Sequence, residues 1–311
     1  MSLLSVYIVT LNWNGLEDTL ECLSSIAELR HPKVRTVVVD NASRTAEADV
    51  IEARFPDAVV LRQDENLGFC GGCNVGIQYA LDNGADYVML LNNDTLVPPD
   101  LIEQLLAGME GVENVGAVSP LIFEHPETAK VWFSKAEWDA SRAQFRLDAR
   151  DDGDTEPEPF LSEFACGCCM LIPAEVLRKV GLLDERYFAF YDEADWCARA
   201  RKVGLGSWVS PAAKMYHKVS RSTPGLVSTY LLSRNRLLWM KENLPFRTRL
   251  KSLTYLVGEY VWHRSNLLGL TGPVYSKEHS RAVVRGYSDY FRGKFYKWDR
   301  STEEIIFGKR Q

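Results

Sequence analysis

The residues with the clearest potential for chemistry are Asn92, Asn93 and Asp94, which directly follow the apolar run Tyr87–Leu91. A carboxylate flanked by two amides suits a hard divalent cation that also holds phosphate oxygens. A short apolar run without alternation is typical of a strand buried on both faces, and ligands bind outside the carboxyl ends of such strands. An ordinary strand-ending turn is the alternative, because Asn and Asp are common in turns.

A second cluster joins five carboxylates and five aromatic residues between positions 184 and 199. Asp192, Asp195 and Arg199 recur at i, i+3 and i+7, so they share one face of a predicted helix. Apolar surroundings raise the pKa of a carboxyl group and suit it to act as a general base. The alternative is a helix start whose acidic residues complement the helix dipole and form a surface ion pair.

A glycine-rich stretch runs from Asn66 to Asn74. Glycines let backbone N–H groups approach a phosphate or a sugar closely. The stretch matches neither a P-loop nor the spaced three-glycine dinucleotide fingerprint. A packing turn is therefore an equal alternative to a ligand-binding loop.

The elements that must position these residues alternate between strands and helices. Strands are predicted at 3–11, 34–39, 58–62, 87–91 and 115–121, and helices at 16–29, 46–55, 74–83 and 98–109. This alternation predicts a parallel, doubly wound α/β sheet. Right-handed crossovers would bring Asn12, Asp40 and Asp94 to one edge of the sheet, so a composite site is favoured there.

The sequence from 123 to 160 is polar and irregular, and it is strongly acidic between Asp148 and Glu158. We interpret it as an excursion within one domain, either a β-ribbon or a mobile loop. A strand at 166–172 and a helix at 173–180 follow it.

The last part of the chain predicts three basic helices rich in Trp and Tyr, at 228–242, 250–268 and 283–298. From Arg221 onward there are 17 Lys and Arg against 7 Asp and Glu, whereas the rest has 19 against 35. Such helices fit the interface of an anionic membrane, which is one hypothesis. The alternatives are a solvated basic face and an extension packed on the catalytic domain or on a second subunit, which leaves a homodimer open.

The composition is that of a soluble globular protein, with 46% hydrophobic residues, 25% charged residues and a net charge of -6. The first ten residues lack the basic start of a signal peptide, and no apolar stretch approaches the roughly 18 residues of a membrane-spanning helix. We therefore expect a cytoplasmic protein, peripheral on the cytoplasmic membrane face if the membrane hypothesis holds, without a nucleic-acid partner.

Seven cysteines, an odd number, argue for reduced thiols rather than a disulfide framework. Cys70 and Cys73 form a C-x-x-C, and Cys166, Cys168 and Cys169 form a second cluster. Four thiolates can bind zinc, but the second spacing is poor for it, and small buried side chains explain the cysteines as well.

Several motifs occur in one order along the chain. They are Ile8–Gly15, Val39–Ser43, Asn66–Gly76, Leu91–Asp94, Gly167 before Met170–Ile172, Asp192–Cys197, His217, Tyr230 and Arg234–Asn235. This order resembles the family 2 inverting glycosyltransferases of the GT-A fold, and most closely the rhamnosyltransferase-like branch. The resemblance covers roughly residues 3–220.

The resemblance implies a GT-A catalytic domain at 1–222, with a donor-binding half at 1–121 and an acceptor-side half at 122–222. A basic, aromatic-rich helical extension would follow at 223–311. The implied donor is dTDP-rhamnose, with UDP-hexose or UDP-N-acetylhexosamine as alternatives. The implied acceptor is a hydroxyl of a glycan or a lipid-linked glycan in cell-surface polysaccharide synthesis.

The resemblance also implies roles for single residues. Asp94 would bind Mg²⁺ or Mn²⁺, and His217 would help to hold the metal or the diphosphate, with a core or surface histidine as its alternative. The donor pocket would consist of Thr10, Asn12, Asp40, Asn41, Asn66, Gly68, Asn74, Asn92 and Asn93.

On the same resemblance, Glu193 is the first choice for the catalytic base and Asp192 the second, because the Asp-Glu order reverses the family's usual pair. Gly167, Asp195 and Trp196 would lie on the acceptor side, and Asp195 could instead hold an arginine. Two other functions are alternatives: an inactive nucleotide-sugar-binding protein, and a nucleotidyltransferase. The latter usually carries a basic glycine-rich loop after its first strand, and Asn12–Gly15 is not such a loop.

Overall fold

The computed structural model describes residues 4–126, 129–148, 158–218, 225–271, 274–297, 302 and 304. Strands and helices alternate in the first part of the chain, as the hydrophobic runs predict. The elements are β1 (Val6–Asn12), α1 (Leu16–Ile26), β2 (Val34–Asp40), α2 (Glu47–Arg54), β3 (Val59–Arg62), α3 (Gly68–Asp82) and β4 (Tyr87–Leu91).

These four strands pair in parallel in the order β3-β2-β1-β4, which confirms the parallel sheet predicted for the donor-binding half. Val6, Ile8 and Val9 of β1 are completely buried, and so are Val88 and Met89 of β4. Apolar residues on both faces suit strands that are covered by helices on both sides.

The second part of the chain extends the same sheet. Its elements are β5 (Thr95–Leu96), α4 (Leu101–Ala107), β6 (Val115–Glu124), β7 (Val131–Phe133), β8 (Lys135–Asp139), β9 (Gln144–Asp148), β10 (Phe160–Ser162), β11 (Cys169–Pro173), α5 (Ala174–Val180), α6 (Asp192–Lys202) and β12 (Gly206–His217). The order across the sheet is β10-β12-β6-β11-β4-β1-β2-β3. The late strand β11 lies antiparallel between β4 and β6, so the sheet is mixed here.

The glycine-rich stretch forms most of the first turns of α3, which begins at Gly68 and not at the predicted Asn74. A Cβ atom at Gly76 would lie 2.3 Å from Val9 Cγ1, and one at Gly72 would lie 2.9 Å from Leu11 Cδ1. These glycines therefore let α3 pack closely on β1, and the packing alternative holds for them.

The excursion contains a β-ribbon, because β8 and β9 pair antiparallel as a separate two-stranded sheet. Trp138 on β8 and Phe145 on β9 lie 4.7 Å from Trp239, ring centroid to ring centroid. The ribbon is thereby fixed against the C-terminal part of the chain. Most of the acidic stretch, at 149–157, lies outside the described residues.

The C-terminal extension consists of α7 (Gly225–Asn243), α8 (Phe246–Leu267) and α9 (Lys277–Phe291). Tyr230 and Trp239 of α7 and Tyr287 of α9 are buried. The extension therefore packs on the catalytic domain through α7, while α9 packs on α7 and α8, which agrees with one of the alternatives stated. None of the helices in the described part of the chain combines the length and apolar character that crossing a bilayer requires.

Candidate active site

Polar side chains meet at the carboxyl ends of β1, β2 and β4, as predicted. Asn12 and Asp40 are paired in register, and Asn12 Nδ2 donates a hydrogen bond of 2.9 Å to Asp40 Oδ1. Asn93 Nδ2 donates to Thr19 Oγ1 at 2.8 Å, and Thr19 donates to Asn12 Oδ1 at 2.7 Å. One hydrogen-bonded chain thus connects the end of β4 to the end of β2.

Asn12 organises this edge from the inside. It is fully buried, and its Nδ2 also donates to Glu47 Oε2 at 2.8 Å and to Ser43 Oγ at 3.1 Å. Thr10 is fully buried too, and its hydroxyl has no partner within the described residues. The sequence predicts that Thr10 and Asn12 contact the nucleoside, but both side chains are buried and support the sheet edge instead.

Asp40 lies at this edge with only one of its carboxylate oxygens hydrogen-bonded. Its Oδ1 accepts from Asn12 and from Ser43 Oγ, the latter at 2.6 Å. Its Oδ2 accepts no hydrogen bond from any residue that the structure describes. One carboxylate oxygen is therefore held in place while the other is free to accept an N–H.

Asn41 fixes the loop before α3. Its Nδ2 donates to Asn66 Oδ1 at 3.1 Å and to the carbonyl of Gly68 at 3.0 Å, while its Oδ1 accepts from Leu67 N. Gly68 has φ +76°, and a Cβ atom there would lie 2.5 Å from the carbonyl oxygen of Phe188. The loop of the donor half therefore touches the segment that precedes the acidic cluster.

Asn74 of α3 also binds the chain just before the acidic cluster. Its Nδ2 donates to the carbonyl of Leu183 at 2.9 Å and to Glu185 Oε1 at 3.0 Å, and its Oδ1 accepts from Leu183 N. All polar atoms of this side chain are used, so the structure gives Asn74 a supporting role instead of the predicted place in the pocket.

Asp94 and His217, the predicted metal pair, lie side by side. Asp94 is 3% exposed, and its Oδ1 lies 3.1 Å from His217 Nε2. The backbone pairs Thr95 with His217, which fixes this approach across the sheet. Asn92, half-buried at the end of β4, makes no side-chain hydrogen bond within the described residues.

These residues fit a divalent cation that is shared with a substrate. Two ligand atoms about 3 Å apart are what neighbouring positions of an octahedral ion with bonds of about 2.1 Å require. The described residues hold no group of three or more protein ligands, so diphosphate oxygens and water would complete the shell. A carboxylate with an imidazole admits Mg²⁺ and suits Mn²⁺ somewhat better.

Asp192 and Glu193 begin α6, directly after a strained segment of backbone. Phe188, Phe190 and Tyr191 have φ of 67°, 67° and 69°, in the left-handed region that side chains rarely adopt. Asp192 is buried and Glu193 is half-buried, so Glu193 is the more accessible carboxyl group.

Glu193 packs against the backbone of Gly167. A Cβ atom added to Gly167 would lie 3.3 Å from Glu193 Cβ. Burial raises the pKa of Glu193 to about 7. Burial and the neighbouring Glu193 charge raise the pKa of Asp192 well above its ordinary range, so Glu193 ionises first. A carboxylate that takes up a proton near neutral pH suits general-base work.

The chain is similar to proteins of one known family. The model of "Glycosyl transferase family 2" matches residues 5–181, more than half of the chain. The chain belongs to glycosyl transferase family 2. It is a glycosyltransferase of the hexosyltransferase type with a nucleotide-sugar donor, and its fold is GT-A.

Curated relatives of this family 2 protein include two named as rhamnosyltransferases. The dTDP-rhamnosyl transferase RfbF of Shigella flexneri is 24% identical over 77% of this chain and 81% of the relative. The N-acetylglucosaminyl-diphospho-decaprenol L-rhamnosyltransferase of Mycobacterium tuberculosis is 25% identical over 65% of this chain and 72% of the relative.

A solved structure shows the same fold. The mannosyltransferase PcManGT from Pyrobaculum calidifontis, in complex with GDP-Man and Mn²⁺, superposes with a TM-score of 0.57 at 15% identity. The superposition covers 93% of this chain and 87% of that one. At this identity the likeness shows the fold alone, and the family 2 match supplies the activity.

Two residues predicted on the acceptor side of this family 2 enzyme lie inside it. Asp195 is 3% exposed, and its carboxylate accepts from Arg199 Nε at 2.8 Å and from Asn243 Nδ2 at 2.9 Å. Trp196 is completely buried and donates to the carbonyl of Gly181. Asp195 therefore holds an arginine, which is the alternative stated for it. Trp196 packs in the core because its side of α6 faces inward.

The sequence interpretation missed three polar residues of the candidate site. Thr19 and Glu47 bind Asn12, and Lys218 is 7% exposed beside the metal pair. Lys218 Nζ donates to Asp18 Oδ1 at 2.8 Å, and its backbone N donates to the carbonyl of Asp94. Only the proximity of Lys218 to His217 in the sequence signalled a role.

The cysteine clusters are packing residues in this structure. Cys70 and Cys73 lie one turn apart inside α3 and are buried, and burial raises the pKa of both thiols well above the ordinary value. Cys166 Sγ and Cys168 Sγ lie 3.3 Å apart, also buried. The described residues contain no cysteine group with the ligands for a zinc ion.

Proposed function

We propose that this enzyme is an inverting transferase that moves L-rhamnose from dTDP-rhamnose to a hydroxyl of a glycan or lipid-linked glycan. The observation that carries the inverting reaction is Glu193, a half-buried carboxyl group at the start of α6 whose pKa lies near 7. The two curated relatives named as rhamnosyltransferases support the choice of sugar. The M. tuberculosis relative's name, which includes a decaprenol diphosphate, supports a lipid-linked acceptor.

Glu193 acts as the base in this proposal. Its carboxylate accepts the proton of the acceptor hydroxyl, and the acceptor oxygen attacks the anomeric carbon from the side opposite the diphosphate. The bond from that carbon to the diphosphate oxygen breaks, and the nucleoside diphosphate leaves with the electron pair. Asp192 remains protonated and donates to Glu193, which keeps the base oriented.

The donor lies along the edge between Asp40 and Asp94 in this proposal. The free Oδ2 of Asp40 accepts the imide N–H that thymine and uracil share, which fits dTDP- and UDP-sugars. Asn92 and Asn93 lie where the diphosphate passes. Asp94 and His217 hold Mg²⁺ or Mn²⁺, which when bound stabilises the negative charge of the leaving diphosphate.

A thermal-shift panel of dTDP-rhamnose, UDP-glucose, UDP-N-acetylglucosamine and GDP-mannose, each with and without Mn²⁺, tests the donor. We expect the largest rise in Tm for dTDP-rhamnose, and a smaller rise without the metal, because ligands that bind only the folded state stabilise it. A larger rise in Tm with a UDP-sugar would identify that sugar as the donor instead of rhamnose. No shift with any donor would contradict the proposed function.

We also propose that α8 docks the enzyme on an anionic membrane surface. The helix buries only Ser252, Leu256, His263 and Asn266, and its opposite face is apolar and exposed. That α8 face consists of Phe246, Leu250, Leu253, Val257 and Val261, spaced three or four residues apart, together with Trp262 beside Val261 and Leu268 directly after the helix end.

The charges around the α8 face favour lipid over a second copy of this chain. Arg247, Lys251 and Arg264 are exposed on α8. The one acidic residue of the helix, Glu259, is paired with Arg236. A face with cations and no exposed carboxylate repels its own copy and complements anionic head groups, and Trp at such a face is typical of a membrane interface.

Sedimentation with vesicles tests the α8 face. We expect binding to phosphatidylglycerol vesicles at low salt and about 100-fold weaker binding to phosphatidylcholine, because each exposed cation contributes about 1 kcal/mol near an anionic surface. The variant with Leu253→Glu and Val257→Glu should lose binding. Val203→Glu, which changes an equally exposed apolar residue at the end of α6, is the matched control.

Two outcomes would contradict membrane docking. One is the absence of binding at low salt. The other is a dimer in light scattering that dissociates in the Leu253→Glu, Val257→Glu variant but not in Val203→Glu, which would assign the α8 face to a second copy of the chain.

A further inference from the structure

The segment from Tyr187 to Tyr191 directly precedes Asp192 and Glu193, and its backbone is held in an unfavourable conformation. Three of its residues, Phe188, Phe190 and Tyr191, have positive φ. Such a backbone conformation is unfavourable, and it persists only where its surroundings fix it. The features that fix this segment therefore decide where Asp192 and Glu193 stand.

Asn235 of α7 contacts three backbone carbonyl groups of this segment. Its Nδ2 lies 2.9 Å from the carbonyl oxygen of Tyr187, 2.7 Å from that of Ala189 and 2.9 Å from that of Phe190. The side chain is completely buried. The two N–H groups of one amide are thus shared among three carbonyl oxygens of a five-residue segment.

Arg234 completes the arrangement. Its guanidinium donates to the carbonyl of Tyr187 at 2.9 Å and to that of Tyr296 at 2.8 Å, and its Nε donates to Asn235 Oδ1 at 3.0 Å. The last bond orients the amide so that its N–H groups face the segment. Arg234 also lies over the Tyr230 ring, 5.5 Å from its centroid.

Burying this arginine is costly for stability. Arg234 is completely buried, and burial lowers the pKa of its guanidinium. None of the carboxylates in the described part of the chain forms an ion pair with it, and its acceptors are carbonyl groups and an amide. An unpaired buried charge is expensive, and an apolar side chain of similar size would fill the space at lower cost.

We propose that Arg234 and Asn235 are positioning residues of the transfer reaction, which hold the strained segment so that Glu193 meets the acceptor hydroxyl. This rests on the proposed role of Glu193 as the base. The C-terminal extension then belongs to the active site, and the boundary predicted at 222/223 separates the base from its support.

The test compares Asn235→Ala with Asn266→Ala. Asn266 is a matched control, because it is a buried amide in the same extension whose Nδ2 donates to Ser280 Oγ and the Tyr275 carbonyl, away from the segment. The readout is release of dTDP from dTDP-rhamnose with water as acceptor. We expect kcat to fall about 100-fold in Asn235→Ala with KM for the donor unchanged, because small misplacements of a catalytic group have effects of this size.

Hydrogen exchange supplies a readout that does not require turnover. Amides from 186 to 193 should exchange about tenfold faster in Asn235→Ala, the effect of roughly two lost hydrogen bonds. In Asn266→Ala the same amides should exchange at the wild-type rate, although the protein is less stable. Arg234→Met should reproduce the exchange pattern of Asn235→Ala.

The outcomes separate the two proposals. Equal kcat in the two Asn variants, or unchanged exchange at 186–193 in Asn235→Ala, would overturn the positioning role. If wild-type enzyme releases no nucleotide from any donor of the panel, the proposed function fails, and the exchange measurement alone decides the positioning role.

Discussion

Glu193→Gln is expected to lower kcat for transfer by about 1,000-fold and to leave the donor Kd within about threefold of the wild-type value. The amide keeps the shape of the side chain but does not accept a proton from the acceptor hydroxyl. Asp192→Asn should have a smaller effect on kcat, about tenfold, because Asp192 acts through Glu193. Glu175→Gln, at an exposed position on α5, is the matched control.

The pH dependence of the wild-type enzyme follows from the same group. The pKa of Glu193 is raised from 4.5 to about 7, so kcat should rise with pH through about 7 as the carboxylate forms. The profile of Glu193→Gln should lack this rise. A fully active Glu193→Gln variant, or a wild-type profile that is flat between pH 5 and 8, would contradict the role of Glu193.

The raised pKa of Glu193 also has a consequence for stability. The folded protein binds more protons than the unfolded chain between the two pKa values, 4.5 and about 7, so this group lowers the free energy of unfolding as pH rises through that window. Glu193→Gln removes this cost. Its Tm should therefore exceed that of the wild type at pH 8 by more than at pH 5.

Asp94→Asn is expected to lower kcat/KM for the donor by about 100- to 1,000-fold at a fixed Mn²⁺ concentration. Asp94 is the only carboxylate of the proposed metal pair, so its loss leaves an imidazole and substrate oxygens to hold the ion. Chelation of divalent cations should reduce wild-type activity similarly, and added Mn²⁺ should restore it. Asp82→Asn, an exposed position at the end of α3, serves as control.

Part of the Asp94→Asn loss should be recovered at high Mn²⁺, because weaker affinity is overcome by mass action. Full activity of the wild type in excess chelator would contradict metal assistance. So would an Asp94→Asn variant as active as Asp82→Asn.

The parallel donor half could be predicted from sequence, because each buried strand is a continuous apolar run followed by polar residues. Asn12, Asp40 and Asp94 meet at one sheet edge for this reason. The insertion of β11 between β4 and β6 could not be predicted, because its apolar run has no feature that specifies a partner or a direction.

The site was predicted less completely than the fold. Residue type indicated which side chains carry chemistry, but whether each one faces the ligand or supports a neighbour depends on burial. The polar atoms of Asn12, Asn74 and Asp195 make hydrogen bonds inside the protein. The bonds from Asn235 to the 187–190 carbonyls link positions at least 45 residues apart, which spacing in the sequence does not reveal.

Inversion at the anomeric carbon with Glu193 as the base can be tested by proton NMR of the sugar released from dTDP-rhamnose. Spectra recorded early, before the free sugar equilibrates, should show the anomer opposite to that of the donor, and its release should be lost in Glu193→Gln. Release of the anomer with the donor's own configuration, or release that persists in Glu193→Gln, would contradict an inverting reaction with Glu193 as the base.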